Sequence, residues 1–171
     1  MVKIKLTNEK KISINEVVSD LENQKDGTAW ATTSNGWSID YVKHLGEVYG
    51  DTWYQGELSR DQIQNILLPQ HGHDPFNEDE LVLITLDTPF SEVVNLYKNR
   101  PKDYSQGCVD NIEYLKQQIK KNGFTSTITL AVINETLKHV DGLHRLVALA
   151  LLEEEGFEYD SIPVFLCDNT R

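Results

Sequence analysis

"TLAVINETLKHVDGLHRLVAL", residues 129–149, decides how the chain folds. "TLAVI" and "LKHV" are short runs rich in β-formers on either side of the turn "NET", so they read as the two strands of a hairpin. Asp141-Gly142 follows at once, a dipeptide that turns sharply because glycine tolerates positive φ. From Leu143 the pattern becomes an almost wholly apolar helix, "LHRLVALALLEEEG", closed by Gly156 and followed by a last strand, "IPVFLC". Burying that helix requires none of Asp141, His144 and Arg145, yet all three stand at its first turn.

Upstream of this unit, "VDNIEYLKQQIKKNG" (109–123) predicts a helix with Val109, Ile112, Leu115 and Ile119 on one stripe and Gly123 as its stop. "SEVVNLYKN" predicts a short helix, "RPKDYSQG" a loop, and "LVLITL" (81–86) a buried strand. "PQHGHDPFNEDE" (69–80) lacks periodicity and marks a loop or boundary. Before it, "MVKIKLT" and "TAWATT" read as strands. "SINEVVSDLENQ" is a helix opened by a Ser13/Glu16 capping box. A second helix starts at Ser38, places Tyr41, Val42, Leu45 and Val48 on one face, and stops at Gly50. "SRDQIQNILL" repeats the capping logic with Ser59 and Gln62. The expectation is an α/β (α+β) chain with a mixed sheet. Residues 76–171 form the core domain, and residues 1–75 a mainly helical extension packed on it.

A chain of 171 residues, 39% hydrophobic, with 3 Trp, 7 Tyr and 5 Phe, has the means to build one packed core. No apolar run approaches the roughly 20 residues of a membrane span, and "MVKIKLTNEKK" has no signal-peptide core, so a cytoplasmic protein without a membrane partner is expected. Cys108 and Cys167 lack metal or redox spacing and read as bystander thiols. The net charge of −11 repels a polyphosphate backbone and disfavours DNA as a partner, while leaving room for a basic protein. Residues 98–121 run against that trend, with Lys98, Arg100, Lys102, Lys116, Lys120 and Lys121 opposed by Asp103, Asp110 and Glu113.

His144 and Arg145 lie beside first-turn amides that have no intrahelical acceptor, at the positive end of the helix dipole. Amides, imidazole and guanidinium together would suit a phosphate. The same residues also serve a plain turn, with Asp141 capping the helix, Arg145 paired with a surface acid and His144 a satisfied polar residue at the helix start.

The order helix, strand, "NET" turn, strand, "VDGLHRLVAL" helix and "IPVFL" strand resembles the ParB/sulfiredoxin superfamily over roughly residues 81–167. There an Asp-Gly or Gly-Gly turn followed by x-His-Arg or x-Arg-Arg opens the helix that holds a nucleotide phosphate. Members of that superfamily include CTP-dependent DNA clamps, proteins called nucleases, a branch that repairs sulfinic acid with ATP, and a branch that phosphorylates free serine. The sulfinic-acid branch carries a cysteine where this chain has Leu143, which argues against that activity. With about one strand after the motif helix, a chromosome-partition clamp is not expected either. The serine-kinase branch is the closer likeness, because its motif also begins with Asp-Gly.

The resemblance implies that ATP or CTP binds with Mg²⁺ and that a phosphate is transferred to an unidentified acceptor or hydrolysed. Asp141 would hold Mg²⁺ or orient the acceptor. His144 and Arg145 would steady the phosphates, with Gly142 and Leu143 completing the turn and Arg100 and Lys102 as further binding candidates. A DNA-processing protein and a catalytically inert interaction module are the alternatives. Elsewhere, "HGHD" (His71, His73, Asp74) suggests a weak metal site, Asp87 and Glu92 follow the "LVLITL" strand, and Trp30, Trp37 and Trp53 suit packing better than base stacking. "EEE" (153–155) reads as a solvated helix end.

Overall fold

The computed structural model describes residues 3–24, 35–68 and 87–171. Its strands are β1 (Thr7–Ile12), β2 (Trp53–Ser59), β3 (Leu67–Leu68), β4 (Thr88–Pro89), β5 (Ile128–Ile133), β6 (Thr136–Asp141) and β7 (Ser161–Cys167). Its helices are α1 (Ile14–Asn23), α2 (Asn35–Tyr49), α3 (Arg60–Ile63), α4 (Val93–Lys98), α5 (Gln106–Asn122) and α6 (Leu143–Glu154). The strands form one seven-stranded sheet in the order β1-β2-β7-β5-β6-β3-β4. Two of its pairings, β5 with β7 and β3 with β6, are parallel, and the others are antiparallel. The mixed α/β architecture expected from the sequence is therefore present.

Helices cover both faces of this sheet, which explains why the central strands read as nearly continuous apolar runs. On one face Ile162, Val164 and Leu166 of β7 join Ile128 and Leu130 of β5 and the buried sides of α5 and α6. On the other, Phe165 and Cys167 of β7, Ala131 of β5 and Val140 of β6 join Val17 and Leu21 of α1, Val42 and Leu45 of α2, and Trp53. α6 is enclosed almost entirely, with Arg145 and every residue from Leu146 to Leu152 buried.

The hairpin lies where the sequence puts it. Asn134 and Glu135 both take positive φ, 51° and 63°, as a two-residue turn whose twist matches its strands requires. The α1 capping box is also formed, with the Ser13 hydroxyl accepting from the Glu16 amide and the Glu16 carboxylate accepting from the Ser13 amide. α5 begins at Gln106, three residues before the expected start, because the Ser105 hydroxyl caps it by accepting from the Cys108 amide. α2 likewise starts at Asn35 instead of Ser38, and Val48 of its expected apolar face is exposed.

The larger differences fall in the first 68 residues. β2, which the apolar periodicity does not announce, pairs with β7 over its full length, from Trp53 opposite Cys167 to Ser59 opposite Ser161. Gly56 permits the approach of β1, since a Cβ there would lie 2.8 Å from the Thr7 carbonyl oxygen. The expected 1–7 strand pairs with β2 only from Thr7 onward, although Ile4 and Leu6 are buried as their alternation implies. "SRDQIQNILL" makes a single helical turn, with no side-chain cap from Ser59, before Leu67 and Leu68 leave to pair with β4 and β6. Three strands of the sheet thus come from the segment expected to be mainly helical. "TAWATT", "HGHD", "LVLITL" and Trp30 lie outside the described residues, as does the side chain of Trp37.

Candidate functional site at the β6 to α6 corner

Gly142 is the hinge of the corner. Its φ of 102° and ψ of 24° are left-handed, and a Cβ would strike Ile128 Cδ1 and come within 3.0 Å of Arg145 Nη2. Both the backbone conformation and the space therefore demand glycine here. A glycine N-cap brings no capping side chain to the first turn of α6.

The three residues grouped by the sequence part company across this hinge. Arg145 is only 6% exposed, and Nη2 donates to Asp141 Oδ2 at 2.7 Å and to Gln24 Oε1 at 3.2 Å. Nη1 donates to the Thr127 carbonyl at 2.9 Å. Asp141 Oδ1 accepts from the buried Ser38 hydroxyl at 2.6 Å. The pair thereby ties β6 and α6 to the end of α1 and the start of α2. The guanidinium expected to grip a phosphate instead braces the turn, and it does so on Asp141 itself, not on a surface acid, while Asp141 gives α6 no side-chain cap.

His144 looks the other way, toward α5, where its Nε2 lies 3.2 Å from Cys108 Sγ. Cys108 is fully buried, and burial pushes its thiol up to about 11, so the sulfur keeps its proton at neutral pH. Tyr104 is hydrogen-bonded to the same sulfur, and burial raises its hydroxyl above the ordinary tyrosine range. Arg100 belongs to this side of the corner. Its guanidinium stacks 4.3 Å over the Tyr97 ring, Nη1 donates to the Tyr97 carbonyl, and its charge reaches Tyr104. Lys102 is exposed and Leu143 packs at the margin of the core. The corner thus holds Gly142, Leu143 and His144, while Arg100 is held at Tyr97.

Buried polar atoms accumulate here as well. Both ring nitrogens of His139, the Tyr97 hydroxyl and the Thr129 hydroxyl have no hydrogen-bond partner. Burial lowers His139 to about 4; Asp141 opposes that shift, while Arg145 and His144 add to it. Native interiors leave few such atoms unsatisfied. The sequence reads Cys108 as a bystander thiol and passes over Tyr104 and His139, because Cys108 and His139 take buried positions of α5 and β6 and Tyr104 lies in the loop before α5. Cys108 stands one turn before Ile112 on the α5 stripe.

The remaining candidates lie elsewhere. Asp87 has φ of 61° and pairs with Lys138 at 2.9 Å, and exposed Glu92 closes a 3-10 turn. Trp53 is core. The three glutamates close α6 with Glu154 and Glu155 exposed, as expected, but each is also paired. Glu153 binds Arg60, Glu154 binds Lys98, and Glu155 binds Lys116 and Lys120, which holds Glu155 down to about 2. Half of the six bases that favoured nucleic acid are thus neutralised within the fold. A cavity of about 510 Å³ opens at the far end of α6, between Arg60, Gln64, Phe90, Ser91, Val94 and Glu153.

Among the described residues no group of three His, Cys, Asp or Glu side chains is arranged to hold a metal ion, and no helix is long and apolar enough to cross a membrane. No protein-family model matches the chain, and comparison with curated proteins and with solved structures finds no match.

Proposed function

We propose that the chain is a nucleotide-binding protein of the ParB/sulfiredoxin type that holds the phosphates of ATP or CTP at the start of α6 and acts as a phosphotransferase or nucleotide hydrolase. The observation that carries this reading is the corner itself. Gly142 leaves the first-turn amides without a capping side chain, and His144 stands beside them in the same turn. Helix N-termini with such amides bind phosphate through aligned N–H groups and the helix dipole. Arg100 supplies positive charge from the neighbouring loop, stacked on a tyrosine that limits its freedom.

Asp141 is the one carboxylate at the turn, and Ser38 and Arg145 already engage its two oxygens. It does not make a protein cage for Mg²⁺. In this reading the ion arrives on the nucleotide's own phosphates, as is usual for Mg²⁺, and would neutralise their charge, with Asp141 as a single additional ligand. Asp141 and Arg145 hold the turn in shape, and His144 and the amides touch the phosphate.

The mutual engagement of Asp141 and Arg145 favours a second reading, a binding module that retains the phosphate corner without phosphoryl transfer. A thermal-shift screen with ATP, CTP and GTP, with and without Mg²⁺, tests the common part. A nucleotide at 100 times its dissociation constant adds about 2.7 kcal/mol of stability. No shift with any nucleotide would sink both readings, and phosphate release or transfer in the presence of a binding nucleotide separates them.

A further inference from the structure

We propose that the acidic end of α6 is an ionic latch, holding α3, α4 and α5 against that end and yielding to salt before the sheet does. Local electrostatics argues against three glutamates in this place. The C-terminal end of a helix carries the negative pole of the dipole and favours bases, yet α6 has no basic residue in its last turn. Glu153, Glu154 and Glu155 also repel one another.

Each acid draws its base from a different element. Glu153, whose side chain is 17% exposed, takes Arg60 of α3 and accepts from the Tyr159 hydroxyl at 3.0 Å. Glu154 takes Lys98, the last residue of α4. Glu155 takes Lys116 at 2.6 Å and Lys120 at 2.7 Å, one turn apart on α5. Glu113 adds a longer contact to Lys116 at 3.6 Å, and the charge of Asp61 also reaches Arg60. Four bases from three elements therefore converge on three consecutive acids, as a network and not as isolated surface pairs.

Two of the elements so held are weak by themselves. α3 has four residues and α4 six, well below the length at which a helix is stable alone. Ile63 of α3 and Val93 and Tyr97 of α4 anchor them in the core, and the ion pairs set how firmly the rest lies on α6. β2 and β7, by contrast, are joined by a seven-residue ladder. Raising salt from 0.1 to 1 M shortens the screening length from about 10 Å to about 3 Å, which weakens the network and leaves backbone hydrogen bonds in place. Arg60, Glu153 and Glu154 also wall the cavity of about 510 Å³, so its width follows the latch.

Amide hydrogen exchange at 0.1 and 1 M NaCl tests the proposal. The reporters are the Arg60 amide, which donates to the Asp160 carbonyl, and the Asn99 amide, which donates to the Asn95 carbonyl, with the amides of β7 as reference. In the wild type both reporters should lose protection about threefold at the higher salt, the scale of a few surface pairs, while β7 is unchanged. Combining Glu153→Gln, Glu154→Gln and Glu155→Gln should give the lower protection at both salts. Lys98→Glu should lower protection at Asn99, and adding Glu154→Lys should restore it. Equal losses across β7, no loss at the reporters, a salt response that persists without the glutamates, or a charge swap that fails to restore Asn99 would overturn the proposal.

Discussion

Arg145 Nη2 and Asp141 Oδ2 meet at 2.7 Å across the Gly142 hinge, one turn apart in sequence and both largely shielded from water. The guanidinium also satisfies a main-chain carbonyl at Thr127 and the Gln24 side chain, so the ion pair joins four segments of the chain. Breaking such a pair on one side leaves an uncompensated buried charge. Arg145→Ala should destabilise the chain by about 3–5 kcal/mol, while Asp141→Asn combined with Arg145→Met should recover much of that loss. Urea unfolding of Arg145→Ala, of Asp141→Asn and Arg145→Met singly, and of their combination checks this. Additive losses would mean that the two groups do not depend on each other. Reduced nucleotide binding in Arg145→Ala is consequently no measure of direct phosphate contact.

Gly142→Ala should cost about 2–5 kcal/mol, combining roughly 1–2 for the left-handed backbone with 1–3 for the collision with Ile128. Gly156→Ala is the control, since φ there is 92° but a Cβ meets nothing within 4 Å, and it should cost only the backbone share. Equal losses at the two positions, measured by thermal melting, would remove the steric argument at the corner.

His139 makes stability sensitive to mild acid. Its folded value of about 4 lies below the ordinary 6.5, so the unfolded chain binds the extra proton first. Stability is at its full value above pH 6.5 and falls as the pH drops toward 4, by about 1.4 kcal/mol per unit in the steep part. Between pH 6.5 and 5, above the usual carboxylate range, this loss should vanish in His139→Leu. Denaturant titrations across that window would show a persistent slope in the variant if another group were responsible.

DNA binding should be absent at physiological salt. Lys98, Lys116 and Lys120 are paired with Glu154 and Glu155, and the whole chain carries −11. A gel shift at 50 and 200 mM salt is expected to show no retardation at the higher concentration. A complex that survived there would overturn this expectation.

What the sequence reveals well is whatever short-range chemistry settles. The Asn134-Glu135 turn, the Ser13/Glu16 cap and the Gly142 hinge all depend on a few neighbouring atoms, and each is readable. β2 is not, because "WYQGELS" owes its strand to β7, far along the chain. At the corner, spacing correctly placed Asp141, Gly142, His144 and Arg145 around one turn. Which way each side chain points depends on Ser38 and Gln24 on one side and Cys108 on the other, and no local pattern encodes those partners.

The seven-residue ladder between β2 and β7 also governs how the chain can be cut or made. A fragment beginning after residue 75 would lack β1, β2 and β3, leaving the β7 backbone as a bare template for other strands, and such a fragment should self-associate. During synthesis the ribosome emits residues 53–59 long before residues 161–167, so β2 waits for its partner throughout translation. Charged side chains on an exposed strand edge disfavour edge-to-edge pairing, and β1 carries Glu9, Lys10 and Lys11 exposed.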